Sequence, residues 1–362
     1  MEERPNRRGS MEKYVKKKHL KLPQLKEAAG EISLDNQYIY KDDIPEYPQP
    51  QFQVSFLKHD TTAAGLKGIR QKGGFRNPYR GPLVWWSLSV RNEDIKAAEK
   101  KLMEEKYSGM SGEIGLKRFA TSPVFSPKSR YGNFRFTFPL EEVLKAYSEQ
   151  FCSGGQPVMR VYETVLHKQE ILYAVLVHSP DDQNFSQYPL LAEDPNTVCF
   201  FRDGSFFWRS EAMCETHRYG LFQNNNSLEV KSFAYHPPFY VWDNVAIAFH
   251  VGEEVLKFDV DQLGRNVKYC KLECFTQSLK RKKNEKILTA DKATKLFKRL
   301  WPELPLKEEN HTRDDEAPPP PQPSSLKPPA APPTCGSFLS PKIRNQRKKD
   351  LLSPSGEAQG EQ

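Results

Sequence analysis

The chain has 362 residues, of which 37% are hydrophobic, 28% charged and 12% aromatic, and its formal net charge is +8. The aromatic share supplies ample material for a core, and the balance excludes a wholly disordered chain, a collagen and a small disulfide scaffold. The longest purely apolar run, Ile171 to Val177, is far short of the ~18 residues a membrane span needs, so no membrane partner is expected.

Residues 1–50 read as a basic, mostly disordered arm, with Lys16-Lys17-Lys18 followed by Pro45, Pro48 and Pro50. A single globular domain is expected over 51–305. Phe52 to Leu57 reads as a strand. Thr61 to Lys72 reads as a helix with Thr at its start and Gly73-Gly74 at its end. Leu83 to Val90 is a strand, and Asn92 caps a helix running to about Glu105, with Glu93 and Asp94 in its first turn. Asn133 to Phe138 alternates, placing Phe134, Phe136 and Phe138 on one face. Pro139 opens a helix through Tyr147. Val158 to Leu166 and Glu170 to His178 are strands, and the second is apolar on both faces like a central strand. Thr197 to Arg202 and Ser205 to Ser210 flank Asp203-Gly204, a pair that supplies the positive φ angles of a two-residue hairpin turn. Leu228 to Tyr235, Phe239 to Val251, Glu254 to Val260 and Asn266 to Phe275 are strand-like. Thr289 caps a last amphipathic helix, which Pro302 stops. Strands and helices do not alternate regularly, so the expected class is α+β, with a mixed or antiparallel twisted sheet and a few flanking helices. Residues 306–362 read as a disordered tail, because ten of the 29 prolines lie between 318 and 341.

The net charge is a local property. Residues 265–300 hold twelve Lys/Arg and three Asp/Glu, a net of +9 against +8 for the whole chain. Lys280, Arg281, Lys282 and Lys283 precede the last helix, which adds Lys292, Lys295, Lys298 and Arg299. Arg347, Lys348 and Lys349 form a second cluster in the tail, between Ser340-Pro341 and Ser353-Pro354. Such runs suit a nuclear localisation signal or phosphate contacts, or are a solvated face. Phosphorylation at Ser340 or Ser353 would reduce the tail's local charge. Six cysteines and an N-terminus lacking a secretory pattern point to reduced thiols and a nuclear or cytoplasmic, not secreted, location. Cys214-x-x-His217 with Cys270 and Cys274 has zinc-type ligands, but a strand would hold the last two too far apart, so no metal is expected.

Three segments carry a resemblance. His59 and Thr61 close a strand and open a helix that leads to a Gly pair. Trp85, Trp86 and Ser87 lie on the following strand. Glu170 opens an apolar strand. In this order they resemble the motifs of the ADP-ribosyltransferase fold, in its poly(ADP-ribose) polymerase-like branch, over about residues 51–180. The resemblance implies NAD as cofactor. His59 and Thr61 would hold ribose, Trp85 or Trp86 with Ser87 would receive nicotinamide, and Glu170 would stabilise the charge that develops as nicotinamide leaves. The chain departs from the motif at Asp60, where Gly is usual, and lacks the usual Tyr on the second strand. The plainer reading of each segment is a helix cap, a core strand with Trp on both faces, and an exposed strand-end Glu. The implied activity is transfer of ADP-ribose to protein, or binding without turnover. The alternative is a non-enzymatic nuclear adaptor that binds protein or nucleic acid through its basic 265–300 surface.

Overall fold

The computed structural model describes residues 1–6, 9–31, 39, 48–77, 81–193, 198–213, 219–232, 241–272 and 288–309. These fall within a unit spanning Met1–Asp315. The expected tail from residue 310 onward, its basic cluster and Ser340 and Ser353 lie outside the described residues, as do Lys280, Arg281, Lys282, Lys283, Cys214, His217 and Cys274, whereas Lys307 and Glu308, expected in the tail, form a strand paired with the large sheet.

The N-terminal segment departs from expectation. It carries β1 (Glu2–Pro5), β2 (Met11–Lys16) and α1 (Leu22–Glu31). Between β2 and α1, His19 is fully buried with its Nε2 against Ala174 O at 2.8 Å, and the Leu20 N–H donates to Thr164 Oγ1. β2 buries Tyr14, exposes Met11 and Lys16 and runs into Lys17 and Lys18, so composition alone reads it as part of a basic arm.

The predicted strand at 52–57 splits into β3 (Gln51–Val54) and β4 (Phe56–Thr61), which belong to different sheets. Helix α2 (Ala63–Lys72) forms as expected. Thr62 Oγ1 accepts from the Gly65 N–H, and Gly73 ends the helix in the left-handed region at φ 67°. After β5 (Gly74–Phe75) and β6 (Leu83–Leu88) comes α3 (Asn92–Lys106). Its cap position is Arg91, not Asn92, because Asp94 reaches back to accept from the Arg91 N–H at 2.7 Å. β7 (Phe134–Pro139), α4 (Leu140–Phe151), β8 (Val158–His167) and β9 (Glu170–His178) match the periodicity. So does the hairpin of β10 (Cys199–Arg202) and β11 (Ser205–Arg209), turned by Asp203 at φ 50° and Gly204 at φ 74°. Then come β12 (Tyr219–Asn224), β13 (Ser227–Ser232), β14 (Trp242–His250) and β15 (Leu256–Lys257). The run expected as one strand over 254–260 stops at Lys257, and α5 (Val260–Arg265) follows, capped by Asp259. β16 (Val267–Tyr269), α6 (Ala290–Leu300) and β17 (Lys307–Glu308) complete the described elements.

The fold is α+β with a mixed sheet of ten strands ordered β1-β2-β8-β9-β14-β6-β4-β7-β16-β17. Most neighbours are antiparallel, whereas β14 runs parallel to β9. A three-stranded sheet, β10-β11-β3, stands apart. One face of the large sheet carries the main core: Phe134, Phe136, Phe138, Trp86, Ile247 and Val175 are all at most 1% exposed. α2 contacts β4, α4 contacts β7, and α6 contacts β16 and α2. The other face carries a smaller apolar cluster of Leu83, Leu176 and Ala248 under Trp85, Tyr162 and Phe185.

Candidate functional site

Strand register fixes where the motif residues point. Paired residues share a face of the sheet and successive residues alternate. Lys58 pairs with Ser87, Ser87 with Ala246, and Ala246 with Ala174. Glu170 is four residues before Ala174, so it shares the face of Lys58 and Ser87. His59 is one residue beyond Lys58 and projects from the opposite face, with Trp86. The offset between Glu170 and this row amounts to roughly 20 Å, from ~3.3 Å per residue and ~4.8 Å per strand.

Each residue has a local role. The His59 Nδ1–H donates to Trp85 O at 2.9 Å, and the ring lies 5.1 Å from Phe75 and 5.5 Å from Trp86. Burial pushes the His59 pKa down, against its backbone hydrogen bond and the charge of Asp60. Trp86 is 1% exposed in the main core. Trp85 is on the other face, 6.3 Å from the Tyr162 ring. Thr61 ends β4, and its Oγ1 packs so close over Gly65 that a side chain there would overlap it. Glu170 accepts two hydrogen bonds from Arg130, at 3.1 and 2.8 Å, and that guanidinium lies 5.0 Å from the Trp242 ring. The NAD site implied by the resemblance is not assembled: the ribose-side imidazole and the carboxylate occupy opposite faces, and the carboxylate is bound in a bidentate ion pair.

Asp60 belongs to a polar cluster, on the face of the sheet opposite His59, that the motif residues do not include. Arg135 Nε donates to Asp60 Oδ1 at 2.7 Å and Nη2 to Oδ2 at 3.0 Å. The same guanidinium donates to the carbonyls of Pro127 and Lys128, and Lys58 Nζ donates to Val124 O at 3.0 Å. Burial, and then the Arg135 charge, push the Lys58 amine down to about 8. Burial alone would raise the Asp60 carboxyl, but Arg135 and then Lys58 hold it below the ordinary carboxylate range. The signal was present in Phe-Arg-Phe-Thr-Phe: where three Phe face the core, the intervening Arg faces the other way and needs a partner. The group pins the 124–128 segment over the sheet. Asp60, the departure from the family motif, is therefore a structural anion.

Cys270 is 1% exposed, and burial pushes its thiol up to about 12, so it is not poised as a thiolate. Among the described residues, no group of three or more His, Cys, Asp or Glu is placed to hold a metal ion, and no helix is long and apolar enough to cross a membrane.

The described part of the 265–300 segment is a basic helix. On α6, Lys292, Lys295, Lys298 and Arg299 are exposed while Ala293 and Phe297 are buried. α6 packs against α2, which exposes Lys67 and Lys72 and contains no acidic residue; Arg76 is exposed just beyond it. Arg70 joins the two helices, its Nε donating to Leu300 O at 3.0 Å and its guanidinium 5.6 Å from the Trp301 ring. Asp291, at the start of α6, is the acidic residue of this pair. No family model matches the chain, and comparison with curated proteins and with solved structures finds no match.

Proposed function

We propose that the protein is a non-enzymatic adaptor that holds nucleic acid through the basic face shared by α2 and α6. One observation carries this reading: two packed helices expose Lys67, Lys72, Lys292, Lys295, Lys298 and Arg299 with Asp291 as the sole acidic residue on either. Cations spaced along packed helices match a phosphate backbone, and each neutralised phosphate releases condensed counterions. An NAD-dependent activity would instead need one cleft to hold His59 and Glu170. The test is fluorescence anisotropy of a labelled 20-base-pair duplex at several salt concentrations. Wild type is expected to show a steep log–log salt dependence. The K292E/K295E/K298E variant is expected to lose at least about 0.9 of that slope per reversed charge. Duplex affinity that ignores salt, or that the triple reversal leaves unchanged, removes the proposal. A thermal midpoint raised by NAD but not by duplex would favour the enzyme reading.

A further inference from the structure

The three-stranded sheet β10-β11-β3 has an unusual outer face. Its inner face is ordinary: Cys199, Phe206, Trp208, Phe52 and Val54 are at most 1% exposed. The alternate residues point outward. Phe200 and Phe207 are direct cross-strand partners, and Phe207 also pairs with Gln53 of β3. The two Phe rings stack with centroids 4.8 Å apart and planes 12° apart. Both are partly exposed, and neither belongs to the apolar clusters of the described residues, unlike Phe201 of the same strand. The guanidinium groups of Arg202 and Arg209 lie 5.2 and 5.1 Å from the Phe200 ring. Gln53 Nε2 donates to Ser205 Oγ and Arg209 Nε to Gln51 Oε1, so amide groups border the rings. The carboxylate of the hairpin, Asp203, sits in the turn.

A hairpin that alternates apolar-in and polar-out needs no phenylalanine on its outer face. The two rings cover each other's facing sides, and the aromatic surface the stacked pair leaves outward, with cations over Phe200, meets the needs of an unpaired base. Its π-face stacks on an aromatic ring whatever its identity, and its phosphate meets arginine. Arginine serves this better than lysine because its planar group lies against rings and still donates to phosphate. A duplex keeps its bases stacked inside and has none to offer.

We propose that the outer face of β10-β11-β3 is a stacking platform for the bases of single-stranded nucleic acid, with Phe200 and Phe207 as the platform and Arg202 and Arg209 as phosphate contacts. This face is distinct from α2 and α6 and does not rest on their reading. Anisotropy of the full chain with three labelled probes tests it: a twenty-nucleotide oligothymidylate, an abasic strand of equal length and charge, and the 20-base-pair duplex. Wild type is expected to bind the oligothymidylate at least tenfold more tightly than the abasic strand. F200L/F207L, which keeps apolar bulk and removes the rings, is expected to reduce oligothymidylate affinity to the abasic level without changing duplex affinity. F200A/F207A should do the same, and an unchanged thermal midpoint in either variant certifies the fold. Equal affinity of wild type for the base-bearing and abasic strands overturns the platform, as does undiminished oligothymidylate binding by both double variants or no binding of it by wild type. Loss of duplex binding alone removes the helical reading and leaves the platform standing.

Discussion

Replacing Asp60 by Asn is expected to destabilise the fold by about 3–5 kcal/mol at neutral pH, the usual cost of leaving one buried charge without its partner. Arg135 is only 4% exposed, and two of its hydrogen bonds go to Asp60. The variant leaves it one neutral amide oxygen and two backbone carbonyls as acceptors, and no anion. Lys58 then faces Arg135 with no negative charge between them. Lys58 already sits at about 8 rather than 10.5, and loss of Asp60 should lower it further. The pH dependence has a definite sign. Between about pH 8 and 10.5 the unfolded chain binds more protons at this lysine than the folded chain, so stability rises with pH across that window. The interval bounds the rise at about 3 kcal/mol, and water around the half-buried amine makes the actual rise smaller. Asp60 acts in the acid range. Its folded pKa is below 3.8, so its stabilisation is complete above that pH and is lost as pH falls through the folded value. The assay is urea unfolding of wild type, D60N, K58M and the double variant across neutral and alkaline pH. K58M should flatten the alkaline rise. In the D60N background it should recover part of the loss, because it removes a cation from beside Arg135. A D60N variant within 1 kcal/mol of wild type, together with no alkaline rise, would refute the reasoning.

Arg4→Met should cost about 3 kcal/mol in the same unfolding assay, because Arg4 makes two hydrogen bonds to Glu163, whose side chain is 2% exposed; an unchanged midpoint would mean the N-terminal hairpin contributes nothing. Gly132→Ala should destabilise by about 1–3 kcal/mol or more, since a Cβ there would overlap the Thr61 backbone carbonyl. Gly68→Ala, in an exposed helical position with open space around it, should instead stabilise by up to about 1 kcal/mol, and equal effects at the two glycines would contradict the packing argument. Asp243→Ala should cost at least about 3 kcal/mol: its carboxylate accepts from Trp208 Nε1, Ser210 Oγ and the N–H groups of Glu211 and Ala212, and all four donors would lose their acceptor. Burial pushes the Asp243 carboxyl up to about 7 against those donors, so its contribution should fall as pH rises from about 4 to 7, opposite in sign to that of Asp60.

Local chemistry determined much of this chain without help from tertiary contacts. Thr62 and Gly73 delimit α2 because an N-cap hydroxyl and a left-handed glycine act within a few residues of themselves. Asp203-Gly204 turns its hairpin for the same reason, and the Phe134, Phe136, Phe138 alternation needs only the two-residue repeat of a strand. The α+β class was legible on those grounds. Strand order was not, because it depends on which distant segments close over one another. The parallel pairing of β14 with β9 brings Trp242 beside Glu170, more than seventy positions away in sequence, and Arg130 joins them from a third segment. Adding β1 and β2 to the sheet edge turns a lysine-rich arm into structure, since an edge strand can bury one face and keep its cations in water. The motif residues show the division most directly: the spacing of His59 and Glu170 along the chain is a sequence property. Whether they face each other depends on counting residues in even and odd steps across intervening strands, and only the folded register decides that count.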